Sequence, residues 1–123
     1  MPTLQDKTPD FGVTTEAIGD SVRVVAVTGE LDISTVSGFR DALKAMTEEH
    51  VAGLVVDLSK VTFVDSVAVG SVLQAKRRLA EDGRVAIVIP EQSYAGMIFD
   101  VVGADAIVDV FRTRAEALAH VVA

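Results

Sequence analysis

The chain contains no cysteine and no tryptophan, and its aromatic complement is five phenylalanines and one tyrosine. Without cysteine there can be no disulfide, zinc–thiolate site or thiol nucleophile, which fits a reducing compartment such as the cytosol. So few aromatics suggest no platform on which bases could stack. Positive charge is in the minority: 11 Lys and Arg stand against 18 Asp and Glu, a formal net charge of −7. That balance argues against electrostatic binding to nucleic acid or anionic lipid. Long apolar runs are missing as well. The longest is Val85 to Ile89, against the roughly 20 residues a membrane-spanning helix needs. The first residues, Met1-Pro2-Thr3-Leu4-Gln5-Asp6-Lys7, have no apolar core or cleavage site, so no signal peptide is expected.

What is present is apolar patterning. Half of the 123 residues are hydrophobic, which excludes general disorder and suits one domain around one core. Met1 to Asp10, polar and holding Pro2 and Pro9, is expected to be a flexible tail. Phe11 to Ile18 and the β-branched run Val22 to Thr28 predict two strands, joined as a hairpin by Gly19-Asp20. Gly29-Glu30-Leu31-Asp32 then leaves the strand as a turn. Ser34 or Thr35 caps a helix to about His50, with Val36, Phe39, Leu43 and Met46 on its inward stripe. Leu54 to Leu58 is a third strand, followed by a short connector through Val64. A second helix runs from Ser66 to Asp82 and stops at Gly83, with Val69, Val72, Leu73, Lys76, Leu79 and Ala80 along one side. Val85 to Ile89 has the composition of a strand covered on both faces, ended by Pro90. Glu91 to Val102 predicts a third helix with Ala95, Ile98, Phe99 and Val102 inward and Gly103 closing it. Ile107 to Phe111 is a short fifth strand. Thr113, with Glu116 at the capping-box spacing, starts a last helix that turns Ala117, Leu118 and Val121 inward. The order β-β-α-β-α-β-α-β-α predicts an α/β fold: a small mixed sheet, an antiparallel edge hairpin plus parallel strands, with four helices packed on it.

Two junctions fall at the carboxyl ends of predicted strands, the edge where open α/β sheets bind ligands and partners. At Asp65-Ser66 a carboxylate and a hydroxyl meet a helix start. Either side chain makes an N-cap worth ~1 kcal/mol. The unpaired N–H groups and partial positive charge of a helix N-terminus also accommodate a phosphate. The pair is therefore either a cap or a switch. Gly29-Glu30-Leu31-Asp32 is either a polar turn or part of the same binding edge. Lys76-Arg77-Arg78 falls in the last turns of the second helix, where cations are favourable, and is read as a solvated helix end. His50 and His120 fall at predicted helix C-termini and, lacking a carboxylate pattern, make no metal site. Ser66 lacks the Gly-x-Ser-x-Gly elbow, which disfavours a Ser–His–Asp hydrolase. Gly70, Gly83, Gly96 and Gly103 form neither a Walker loop nor a dinucleotide fingerprint, and no cofactor is expected.

Together these residues resemble a STAS domain, specifically a bacterial anti-sigma factor antagonist (anti-anti-sigma factor). The matching segments are Thr28-Gly29-Glu30-Leu31-Asp32, then Leu54-Val55-Val56-Asp57-Leu58-Ser59 with Val61, Phe63 and Val64, then Asp65-Ser66 and Gly70. The resemblance spans residues 11 to 121. It implies a non-enzymatic, cytoplasmic binding protein whose partner is an anti-sigma factor, itself a serine kinase of the histidine-kinase-like ATPase fold. Ser66 aligns with the family's phosphorylated serine; Glu30, Asp32, Asp65, Ser66 and Gly70 are the implied partner contacts. A serine phosphatase would reset the switch. The chain departs from the family's Ser-Ser/Thr-Gly-Leu-Gly pattern, since Ser66-Val67-Ala68-Val69-Gly70 loses the second hydroxyl and the first glycine. The alternative implied by that departure is a STAS binding or scaffold module without a phosphorylation cycle.

Overall fold

The computed structural model describes residues 11–48, 51–79, 83–90, 93–101, 103 and 108–122. The expected tail at 1–10, the helix end at His50, Ala80 to Asp82, Glu91, Val102 and Ile107 lie outside the described residues. The elements are β1 (Gly12–Ile18), β2 (Val22–Leu31), α1 (Val36–Thr47), β3 (Gly53–Val64), α2 (Ser66–Arg78), β4 (Arg84–Val88), α3 (Tyr94–Val101), β5 (Asp109–Phe111) and α4 (Arg114–Val122). They form a five-stranded sheet in the order β1-β2-β3-β4-β5. β1 runs antiparallel to β2, and every other neighbouring pair is parallel. The expected mixed sheet with an edge hairpin is therefore present.

Strand alternation divides the core between two faces. On one, Val25, Val27, Leu54, Val56 and Ile87 pack beneath α1, α2 and α3, which contribute Phe39, Val72 and Phe99. On the other, Val22, Val24, Val55, Ala86 and Val88 meet Ala117 and Val121 of α4. Full burial of each large aliphatic or aromatic side chain is worth about 1.5–3 kcal/mol. Arg114, the first residue of α4, fastens that helix to the sheet through Asp57, Nε to Oδ2 at 2.9 Å. Burial alone would push the Asp57 carboxyl up. Hydrogen bonds from the Ser59 hydroxyl and N–H, then the Arg114 guanidinium, outweigh it and hold the group below its ordinary value.

Two strands run further than the sequence pattern indicates. β2 continues through Gly29-Glu30-Leu31, and β3 continues from Ser59 to Val64, where a turn and a connector are expected. Beyond Asp57, which pairs with Val88, β3 has lost β4 as a neighbour and pairs only with β2. Neither face there is fully covered, so Ser59, Lys60 and Thr62 are exposed and the apolar signal of a strand disappears. The two-stranded extension carries register shifts at Ala26/Thr28 and Gly29/Glu30. Gly29 takes φ 87°, a left-handed conformation that costs other residues about 1–2 kcal/mol. Leu31 and Val64, paired at the far end, are fully buried and pin the extension to the core.

The helices also shift at their ends. α2 stops at Arg78 instead of near Gly83, because Leu79 turns extended and is buried. Its inward face is Ala68, Val69, Ser71, Val72 and Ala75. Lys76, expected on that stripe, is half-exposed, because small residues at positions 68, 71 and 75 let the helix lie close to its neighbours. Thr35 is the N-cap residue of α1 but makes no side-chain cap bond; its hydroxyl is used elsewhere. Thr113 does cap α4, accepting from Glu116 N at 3.2 Å.

Candidate functional site

The extension of β2 and β3 ends where both candidate junctions begin. Because Leu31 pairs with Val64, Asp32 and Asp65 leave neighbouring strands side by side. The Asp65 N–H donates to Leu31 O at 3.3 Å, joining the two junctions directly.

The β2–α1 turn is fixed by its own side chains. Ser34 donates to Asp32 Oδ1 from both its N–H (2.9 Å) and its hydroxyl (2.6 Å). The Thr35 hydroxyl donates to Glu30 O at 2.9 Å and accepts from the Asp32 N–H at 2.9 Å. The Ser34 hydroxyl, then its N–H, hold the Asp32 carboxyl below the usual carboxylate range. This closed network leaves Ile33 at the turn tip, 81% exposed.

The β3–α2 junction separates two roles that the sequence leaves open. Asp65, in extended conformation, is the N-cap of α2. Its Oδ1 accepts from Val67 N at 3.1 Å and Ala68 N at 3.2 Å, filling two of the helix's unpaired donors. Ser66 is the first helical residue, not the cap. Its side chain is exposed, and among the described residues its hydroxyl has no hydrogen-bond partner. Val67 beside it is 36% exposed, whereas Ala68 is buried in the core. Gly70 lies one turn further on, half-buried, and a Cβ added there would meet nothing within 4 Å.

Glu30, Asp32, Asp65 and Ser66 thus gather at one edge, and Gly70 lies on the helix that starts there. Sequence reasoning missed the apolar contribution to that edge. Ile33 and Val67 are exposed, and Phe63 stacks on Tyr94 of α3 with ring centroids 5.1 Å apart. The signal available was an isoleucine inside an otherwise polar turn. His120 is not part of the edge. It pairs with Asp109 Oδ2 at 2.7 Å, and its carbonyl accepts from Arg84 at the opposite, amino-terminal end of β4. A Ser66–His120 relay therefore has no geometric basis. Among the described residues no group of His, Cys, Asp or Glu could hold a metal ion, and no helix is long and apolar enough to cross a membrane.

Comparison with known proteins places this geometry in context. A family model described as STAS domain matches residues 14–117. An anti-sigma factor antagonist from Mycobacterium paratuberculosis superposes with a TM-score of 0.84 at 25% identity, covering 93% of this chain and 96% of that one. The anti-sigma factor antagonist SpoIIAA in its unphosphorylated form gives 0.74 at 25% identity, over 89% and 96% of the two chains. The Bacillus cell fate determinant SpoIIAA in its phosphorylated form gives 0.67 at 25% identity, over 89% and 99%. No curated protein matches the sequence significantly.

Proposed function

The chain belongs to the STAS domain family, and from that premise we propose that it is an anti-sigma factor antagonist switched by phosphorylation of Ser66. Unphosphorylated, it binds in the cytoplasm to an anti-sigma factor that is also a serine kinase of the histidine-kinase-like ATPase fold, and the sigma factor is released. The kinase then phosphorylates Ser66, the complex separates, and a serine phosphatase restores the first state. Glu30, Asp32, Asp65, Ser66 and Gly70 belong to the contact surface, with Ile33 and Val67 as its apolar part.

The observation that supports this reading most is the Ser66 hydroxyl: exposed, without a partner among the described residues, and followed in the chain by the exposed apolar Val67. A hydroxyl needed only to cap α2 would be engaged, and that task belongs to Asp65. Phosphate adds ~1.5–2 negative charges. With Val67 N and Ala68 N already occupied, the helix end offers it at most the ~0.3–1 kcal/mol of the dipole, offset by Asp65 and Asp32 nearby. The fold is therefore nearly indifferent to the modification. A partner covering the same edge is not, because an unpaired charge in a desolvated interface costs several kcal/mol, and each ~1.4 kcal/mol is tenfold in affinity.

The second reading, a scaffold module without a phosphorylation cycle, draws on Val67, an exposed apolar side chain where the family carries a second hydroxyl. Incubation with the cognate kinase and ATP, followed by mass spectrometric mapping, separates the two. Phosphate on Ser66, absent in Ser66→Ala, is the expected result; an unmodified chain in an active kinase assay selects the scaffold.

A further inference from the structure

α1 and α2 share one face of the sheet and are tied by two reciprocal hydrogen bonds. Arg40 of α1 donates from Nε to Ser71 Oγ of α2 at 3.2 Å. Arg78 of α2 donates from Nε to Thr47 Oγ1 of α1 at 2.9 Å. Both acceptors are buried, Thr47 to 3% and Ser71 to 4% exposure. Their own protons go back to Leu43 O and Val67 O, so each oxygen is a fixed acceptor. Each guanidinium is thereby held at one nitrogen, and among the described residues its other donors are spare. Among the described residues neither arginine, nor Lys44, makes an ion pair.

The anchors repeat after seven residues on both helices, Arg40 to Thr47 and Ser71 to Arg78, so the helices run parallel and the ties sit about 10 Å apart. Lys44 falls one turn beyond Arg40. Arg40, Lys44 and Arg78 line one open notch of about 190 Å³ with Asp41, Ser71 and Gln74. Compensation of the helix dipole accounts for Lys44 and Arg78, which lie in last turns. It does not account for Arg40, which lies in the first half of α1.

We infer that this notch is a second docking surface, distinct from the Ser66 edge, and that it takes an acidic segment of a partner protein. The cations are strung along the groove over about two helical turns instead of converging on one point. That arrangement fits successive carboxylates on a chain and does not fit a single phosphate. Guanidinium groups oriented by a buried acceptor present paired donors to carboxylates. The chain as a whole carries −7, so an acidic ligand needs a local basic patch of this kind to offset the net repulsion.

The test uses the full chain and a fluorescein-labelled, alanine-rich peptide of about 14 residues with glutamates spaced one turn apart, titrated by anisotropy at low and high salt. Saturable binding that weakens with salt is expected, with none for the glutamine counterpart. Lys44→Glu and Arg40→Gln should each weaken binding about fivefold or more at low salt. Lys44 is exposed and anchors neither tie, so Lys44→Glu decides the matter even where Arg40→Gln unfolds the chain. Equal binding by Lys44→Glu, or by the glutamine peptide, overturns the inference. So does pyrophosphate or a single-stranded oligonucleotide that binds more tightly than the peptide with the same sensitivity to Lys44→Glu.

Discussion

Replacing Gly70 by alanine should raise the stability of the free protein. The residue sits inside α2, outside the left-handed region, and an added Cβ has no atom within 4 Å to strain against. Glycine in a helix interior is about 0.8–1 kcal/mol worse than alanine. Half of that advantage or more should survive at a half-buried site, since it arises chiefly from the reduced freedom of the unfolded chain. For 123 residues an unfolding entropy of ~2 cal/mol/K per residue converts 1 kcal/mol into roughly 4 °C. A rise in Tm of ~2–4 °C by circular dichroism is therefore expected. A fall in Tm would refute the reasoning, because it would mean a steric demand that this geometry lacks. The same variant tests function. If affinity for the anti-sigma factor drops while Tm rises, the missing side chain is required by the partner's approach. Unchanged affinity would remove Gly70 from the proposed contact surface.

Other outcomes follow from the same geometry. Asp65→Ala leaves two N–H donors of α2 unfilled and should cost about 1 kcal/mol in urea unfolding, most of it recovered by Asp65→Asn; equal midpoints for all three chains would contradict the cap. Gly29→Ala should destabilise by about 1–2 kcal/mol, because φ 87° is strained for a side chain. Asp57 has a lowered folded-state value, so its contribution is present above the ordinary value of 3.8 and is lost as pH falls through the folded one. Arg114→Gln removes part of what offsets burial there. It should raise the acid-unfolding midpoint and cost on the order of 1–2 kcal/mol near neutrality, a figure reduced from that of a fully buried pair because Arg114 is 40% exposed. An unchanged acid limb would remove Asp57 as a contributor.

Periodicity made the order of elements legible, because helices and covered strands bury a regular face. It failed where burial failed. The far ends of β2 and β3 are only partly covered: Leu31 and Val64 are buried, but exposed Ser59, Lys60 and Thr62 left no regular apolar alternation to read. At the site, the sequence placed Asp65 and Ser66 at a helix start but could not assign the cap, since both residue types serve. The Leu31–Val64 register, invisible in one dimension, brings Asp32 beside Asp65. The ties from Arg40 to Ser71 and from Arg78 to Thr47 were equally hidden, because each joins residues 31 positions apart. Lys76-Arg77-Arg78 was legible only as a charged helix end.

The most direct measurement is the affinity of the anti-sigma factor for two chains that differ only by phosphate on Ser66, determined by isothermal titration alongside their thermal unfolding. The account predicts a loss of about 100-fold or more on phosphorylation, the equivalent of several kcal/mol at a covered edge, with Tm moved by no more than a few degrees. Equal affinities, or a loss of binding that tracks a collapse of the fold, would contradict it.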